Sequence, residues 1–174
     1  EKVARDVYIT LGARYPKLKV FGKIDDAEQR HTCAVCDKLK KYGIDDPNSN
    51  DNVGVYTGDN YGPYFTKKFA GLVERGSASA LDALYVGAYI EELDMIDIRY
   101  CPEEIIEQVP VMEKNVDCGS LYTDKPDLRR LYDSLLAGSE NHLRAFVRNI
   151  ERSEGEGSYR AQVLPQEQVE MILG

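Results

Sequence analysis

No run of this 174-residue sequence is apolar for long enough to cross a bilayer. The longest, Ala83 to Ile90, has eight residues even with Gly87 counted, against about 20 for a spanning helix. Positive charge is also short: 22 Lys and Arg stand against 30 Asp and Glu, a net charge of −8. That field repels phosphate backbones and anionic headgroups, which excludes nucleic acid as a partner. With 14 Gly and 7 Pro the chain is neither collagen-like nor of low complexity. Four cysteines, Cys33, Cys36, Cys101 and Cys118, do not make a disulfide scaffold in a chain long enough to bury its own core. No Asn-x-Ser/Thr sequon occurs, which disfavours a eukaryotic secretory protein. The chain opens at Glu1 rather than Met, so the compartment stays open between cytoplasmic and exported prokaryotic.

What is present is helical periodicity. At about 100° per residue, four stretches show one apolar stripe each, and together they predict an all-α fold in a single domain over residues 1–174. The stretches are about 1–15, 24–42, 79–99 and 125–152, with a tail over 155–174. The first carries Glu1, Ala4, Tyr8, Gly12 and Tyr15 on its stripe, and the second Glu28, His31, Val35, Leu39 and Tyr42. The third carries Leu81, Leu84, Ala88, Glu91, Met95 and Ile98, with Ser79 as N-cap and Asp82 three residues on. The fourth carries Leu128, Leu131, Leu135, His142 and Phe146 behind Pro126, which suits a first turn. A short connection makes the first two helices a hairpin. The longer segment 43–78, with an amphipathic piece near 65–74, reads as a crossover between helices two and three, the topology of ferritin-like bundles. Residues 101–124 read as loop with a helical turn at 103–108. The tail segment Val163 to Leu173 either covers the bundle or docks a second copy as a homodimer.

Each stripe is interrupted by an ionisable group, and an unpaired buried charge costs several kcal/mol. Carboxylates and imidazoles that converge on one interior are neutralised well by a pair of metal ions, and such pairs take about four carboxylates and two histidines. This chain has two histidines, His31 and His142, and both lie on inward stripes. Glu91 fits its stripe, with the adjacent Glu92 as its alternate.

These residues resemble a known family. Glu1-Lys-Val-Ala-Arg-Asp-Val-Tyr8 is similar to the first helix of rubrerythrin-type proteins, Glu28-Gln-Arg-His31 to their Glu-x-x-His motif, and Gly87-Ala-Tyr-Ile-Glu91-Glu92-Leu-Asp-Met95 to their third helix. Over nearly the whole length, and most specifically at Gly138-Ser-Glu-Asn-His-Leu-Arg-Ala-Phe146, the chain resembles the ferritin-like family catalogued as domain of unknown function number 2202. The resemblance implies a ferritin-like four-helix bundle with one long crossover. It further implies a dimetal site of two iron ions, with manganese or zinc as alternatives. Glu1 and Glu91 would be single ligands, Glu28 a bridge, and His31 and His142 terminal ligands; Tyr8, on the stripe of Glu1, reads either as a hydrogen-bond partner that orients a ligand or as a core tyrosine. It also implies an oxidoreductase or peroxidase acting on dioxygen, peroxide or ferrous ion, with iron storage as a weaker reading. The alternative is a non-catalytic bundle that binds a partner over a degenerate or absent metal site.

Two positions depart from the rubrerythrin pattern. Ala88 stands where a further Glu is expected, and helix four reads Ser139-Glu140-Asn141-His142, with its acid one position late. On an ideal helix Glu140 points about 200° from His142. Either Glu140 is no ligand or a π-bulge near Gly138 re-aims it. The Cys33-Ala-Val-Cys36 motif lies inside a helix with no second such motif, and is read as packing or an incidental thiol pair. Cys101 and Cys118 flank a loop and are left open as a disulfide.

Overall fold

The computed structural model describes residues 1–59, 61–100 and 119–174. The turn expected at 103–108 and the pairing of Cys101 with Cys118 lie outside the described residues. Among those described there are six helices and no strand: α1 (Lys2–Arg14), α2 (Phe21–Tyr42), α3 (Gly62–Gly76), α4 (Ala80–Arg99), α5 (Pro126–Glu154) and α6 (Gln166–Leu173). The segment expected as a crossover therefore contains a helix of four turns. Its apolar positions Phe69, Leu72 and Val73 pack on the core between α1 and α4.

The ends follow from local chemistry. Ser79 caps α4, its Oγ accepting from the Asp82 backbone N–H at 3.0 Å while donating to the Asp82 carboxylate at 2.6 Å. Gly43 closes α2 at φ 65°, a conformation that a side chain disfavours. Pro126 opens α5, where a missing N–H leaves nothing unpaired.

The core is built from Val7, Tyr8 and Leu11 of α1, Phe21 and Ile24 of α2, Leu84, Val86 and Met95 of α4, and Leu143, Phe146 and Ile150 of α5. Its centre is an aromatic triad in which Phe146 stands 5.4 Å from Tyr8 and 5.5 Å from Phe21. Gly87 on α4 makes room for it, since a Cβ there would come within 2.3 Å of Phe146 Cε1. Replacing Gly87 with Ala should therefore overpack a filled core and cost about 1–3 kcal/mol. Thermal unfolding should register this as a midpoint lower by about 2–4 °C per kcal/mol.

Two polar anchors hold the non-helical segments in place. Fully buried Asp6 accepts from Lys2 Nζ (2.6 Å), the Gly54 N–H (2.9 Å) and Tyr56 Oη (3.0 Å), while Arg5 reaches Asp51 and Gln29. This network fastens the loop that follows α2 onto α1. In the tail, Leu164, Val169 and Ile172 are buried on the chain's own surface, and Arg144 Nε donates to the Ile172 carbonyl at 2.6 Å. The tail thus covers its own chain, leaving Met171 outward.

The stripe of α2 departs from expectation. Only Phe21, Ile24 and Glu28 are buried on this helix, whereas Val35 and Leu39 are half-exposed and Tyr42 is at the surface. The second half of α2 borders an open cleft instead of the core.

Candidate metal centre

Four helices each bring a side chain to one place inside the molecule. Glu1 stands at the head of α1, and Glu28 and His31 share a face of α2 because three residues make nearly one turn. Glu91 comes from α4 and His142 from α5. His31 Nδ1 lies 3.1 Å from Glu1 Oε2 and 3.2 Å from Glu28 Oε2. On the other side His142 Nδ1 lies 2.8 Å from Glu28 Oε1 and 3.5 Å from Glu91 Oε1. The two imidazoles stack with centroids 5.8 Å apart. The result is two groups of donors, Glu1–Glu28–His31 and Glu28–Glu91–His142, each compact enough to hold one ion and joined through the two oxygens of Glu28.

Two buried atoms in this cluster are left without a hydrogen-bond partner, Glu91 Oε2 and His142 Nδ1. The short separation between His142 Nδ1 and Glu28 Oε1 does not satisfy the nitrogen, because the oxygen lies off its N–H direction. Polar atoms that are buried, crowded and unpaired are costly unless a further group lies between them.

The electrostatics are those of a proton-filled cluster. Burial opposes ionisation of Glu28, yet His142, His31 and Glu1 together hold its carboxyl far below the usual range. Glu1 and then Glu28 raise the His31 pKa to about 9. Burial works against protonation of His142, but Glu28 and Glu91 outweigh it and push the imidazole to about 10. Glu91 is raised to about 7, chiefly by burial. At neutral pH without metal, both imidazoles therefore carry protons. Their contribution to stability is full below pH 6.5 and lost as pH rises through about 9 and 10.

The surroundings orient the donors. Tyr8 Oη donates to Glu91 Oε1 at 2.6 Å, which fixes that carboxylate and leaves Oε2 as its free oxygen. Burial, followed by Glu91 and Glu28, raises the Tyr8 phenol well above its ordinary value, so it stays a donor. Gly138 on α5 faces the His31 ring, where a Cβ would meet Cε1 at 2.6 Å.

Two of the sequence-derived positions are not part of the cluster. Glu92 is fully buried but points the other way, accepting from Tyr159 Oη (2.6 Å) and from the N–H groups of Gln162 (2.9 Å), Val163 (2.6 Å) and Leu164 (2.8 Å). One residue is a 100° step on a helix, so adjacent glutamates serve different faces. Glu140 is half-exposed and lies 3.5 Å from Arg144; α5 runs through it as an unbroken α-helix, so no bulge re-aims it. The place one turn before His142 is taken by buried Ser139. The periodicity argument missed Asp94, three residues beyond Glu91, which shares a cavity of about 360 Å³ with Glu1 and Asp97. Burial, together with the charges of Glu1, Glu91 and Glu28, raises its carboxyl well above the usual range. Its i+3 spacing from Glu91 was the available signal.

Fold and cluster together define an all-helical protein with a buried carboxylate–histidine cluster. The chain belongs to the family described as Uncharacterized protein domain (DUF2202), whose model matches residues 1–174. It is 39% identical over 173 residues to the Uncharacterized protein MJ0754 of Methanocaldococcus jannaschii, covering 99% of this chain and 80% of that protein. The solved structure titled crystal structure of hypothetical protein MJ0754 from Methanococcus jannaschii DSM 2661 is similar at a TM-score of 0.78 and 38% identity, over 99% of this chain and 84% of that one.

Proposed function

We propose that this protein is a ferritin-like dimetal carboxylate protein, holding two iron ions, or manganese or zinc in their place, and acting on peroxide, dioxygen or ferrous ion. The observation that carries this reading is Glu28, whose two oxygens belong to two separate donor groups, each with its own histidine and its own second carboxylate. Three carboxylates and two imidazoles form a mixed oxygen and nitrogen set that suits such ions. The orphaned Glu91 Oε2 and His142 Nδ1 would find their partner in an ion. When bound, an adjacent pair of redox-active ions supplies two electrons to an oxidant. The chain's own residues hold the geometry. Glu28 would be shared between the two ions, Glu1 and His31 would hold one and Glu91 and His142 the other, while the Tyr8 hydroxyl keeps Glu91 in register.

Anaerobic loading with ferrous ion, desalting and elemental analysis should give about two metal ions per chain, followed by metal-dependent consumption of hydrogen peroxide. Absence of metal after loading would overturn the reading. Ions held by the two imidazoles would displace one proton from each. Calorimetry in buffers of different ionisation enthalpy should therefore show roughly two protons released at pH 7, and affinity rising with pH towards 9.

One observation favours the non-catalytic alternative: α5 contributes no carboxylate, with Ser139 in the place of an acid and Glu140 paired outward. A single ion per chain would indicate that this side of the site is degenerate.

A further inference from the structure

Beyond His31, α2 carries two free thiols, Cys33 and Cys36. Of the two readings from sequence, packing or a thiol pair, packing does not describe Cys33, which is exposed, while Cys36 is half-buried. Three residues apart on a helix, they share a face with Cβ atoms about 5–6 Å apart. A disulfide needs about 3.5–4.5 Å, so closure requires only a local backbone shift and yields a strained, readily reduced bond. Gln29 Nε2 donates to Cys33 Sγ at 3.3 Å, and Cys36 Sγ–H donates to Asp46 Oδ2 at 3.6 Å, an acceptor for the departing proton. Both cysteines line the cleft of about 540 Å³ beside α2, and the same cleft is walled by Glu1, whose Oε2 lies 3.1 Å from His31 Nδ1. Of the cluster's five residues it is Glu1 that borders the cleft into which both thiols open.

We propose that Cys33 and Cys36 form a redox dithiol that supplies the two electrons for reducing hydrogen peroxide at the neighbouring cluster, an inference that rests on the dimetal reading. The step balances. Two S–H bonds break and one S–S bond forms, two electrons and two protons pass to hydrogen peroxide, its O–O bond breaks, and two water molecules leave. An external dithiol reductant reopens the disulfide by exchange. Burial and the adjacent Asp46 keep the Cys36 thiol above its ordinary value. A protonated thiol is a poor nucleophile towards free peroxide, so direct attack by Cys36 is slow.

The test uses the tryptic peptide His31 to Lys38, which contains Cys33 and Cys36 and neither of the other cysteines. Ferrous-loaded protein, metal-free protein and the Glu28→Gln variant taken through the same ferrous treatment each receive one equivalent of hydrogen peroxide without oxygen. Free thiols are then alkylated and the peptide is weighed. The expected result is an unalkylated peptide about 2 Da lighter than its dithiol form in the loaded protein, appearing about tenfold faster than in the other two. A Cys33→Ser, Cys36→Ser double variant should bind the same metal yet stop after its first turnover when dithiol reductant is supplied. A peptide that stays reduced while loaded protein consumes peroxide overturns the inference and leaves the dimetal reading standing. Equal oxidation with and without metal also overturns it. Failure to take up metal removes both, and elemental analysis reads that separately.

Discussion

Glu28→Gln is expected to abolish binding of both ions rather than one, because each of the two donor groups uses one oxygen of this carboxylate. An amide keeps the volume but offers a single neutral acceptor, so neither side retains a carboxylate from α2. Elemental analysis after ferrous loading should fall from about two ions per chain to near none. Glu1→Gln should spare the half formed by Glu28, Glu91 and His142. The metal-free variant will also be less stable. Glu28 is the carboxylate both imidazoliums share, and removing one partner from a buried ion pair costs about 3–5 kcal/mol. Here the cost should fall at the lower end, because the histidines can lose their protons. The variant should accordingly unfold at lower denaturant concentration, with its deficit greatest near pH 6 and shrinking as pH rises through about 9 and 10. Loss of stability with unchanged metal content would sink the bridging role.

The neighbouring carboxylate should behave in the opposite way. Glu92→Ala removes the acceptor of three backbone N–H groups and of Tyr159 Oη, and leaves four donors without their partner in a tightly packed corner. Hydrogen bonds to a charged group contribute about 1.5–3 kcal/mol each. Allowing for water reaching the half-buried members, a loss of about 3–5 kcal/mol is expected, enough to release residues 159–164 and α6 from α5. Amide exchange of Val163 and Leu164 should rise to the rate of an open loop, while metal content per chain stays at its wild-type value. A fall in metal content with the tail still protected would make Glu92 a ligand and refute the assignment. Glu92→Gln should be intermediate, since a neutral amide oxygen accepts more weakly.

Much of this was legible from residue spacing. The 3.6-residue period places Glu28 and His31 on one face, Glu91 on the stripe of α4, and Ser79 before Asp82, because all of these are relations within a single turn. The same reasoning fell short where the answer depended on what lies opposite a face. The stripe Val35, Leu39 and Tyr42 is as regular as any other, yet Val35 and Leu39 border a cleft and Tyr42 sits at the surface, donating to Asp127 of α5 at 2.7 Å. α3 was read as a short amphipathic piece near 65–74 within a crossover, whereas packing of Leu72 and Val73 on α1 and α4 sustains all four turns of Gly62–Gly76. The burial of Arg5 and Asp6 was not read from spacing, because it is the loop around Gly54 and Tyr56 that makes them a buried lock.

By itself the sequence determined that the chain is helical, where its capped ends lie, which acids and histidines share a helix face, and that net charge disfavours nucleic acid. All of these are local or compositional quantities. The tertiary structure decided which of two adjacent glutamates enters the cluster, that Glu140 does not, and that Glu28 stands between both histidines. It also decided that Cys33 and Cys36 open onto the same cleft as Glu1. A helix face selects its partners only when other helices are laid against it, and their rotation and offset are set by core packing summed over the whole chain.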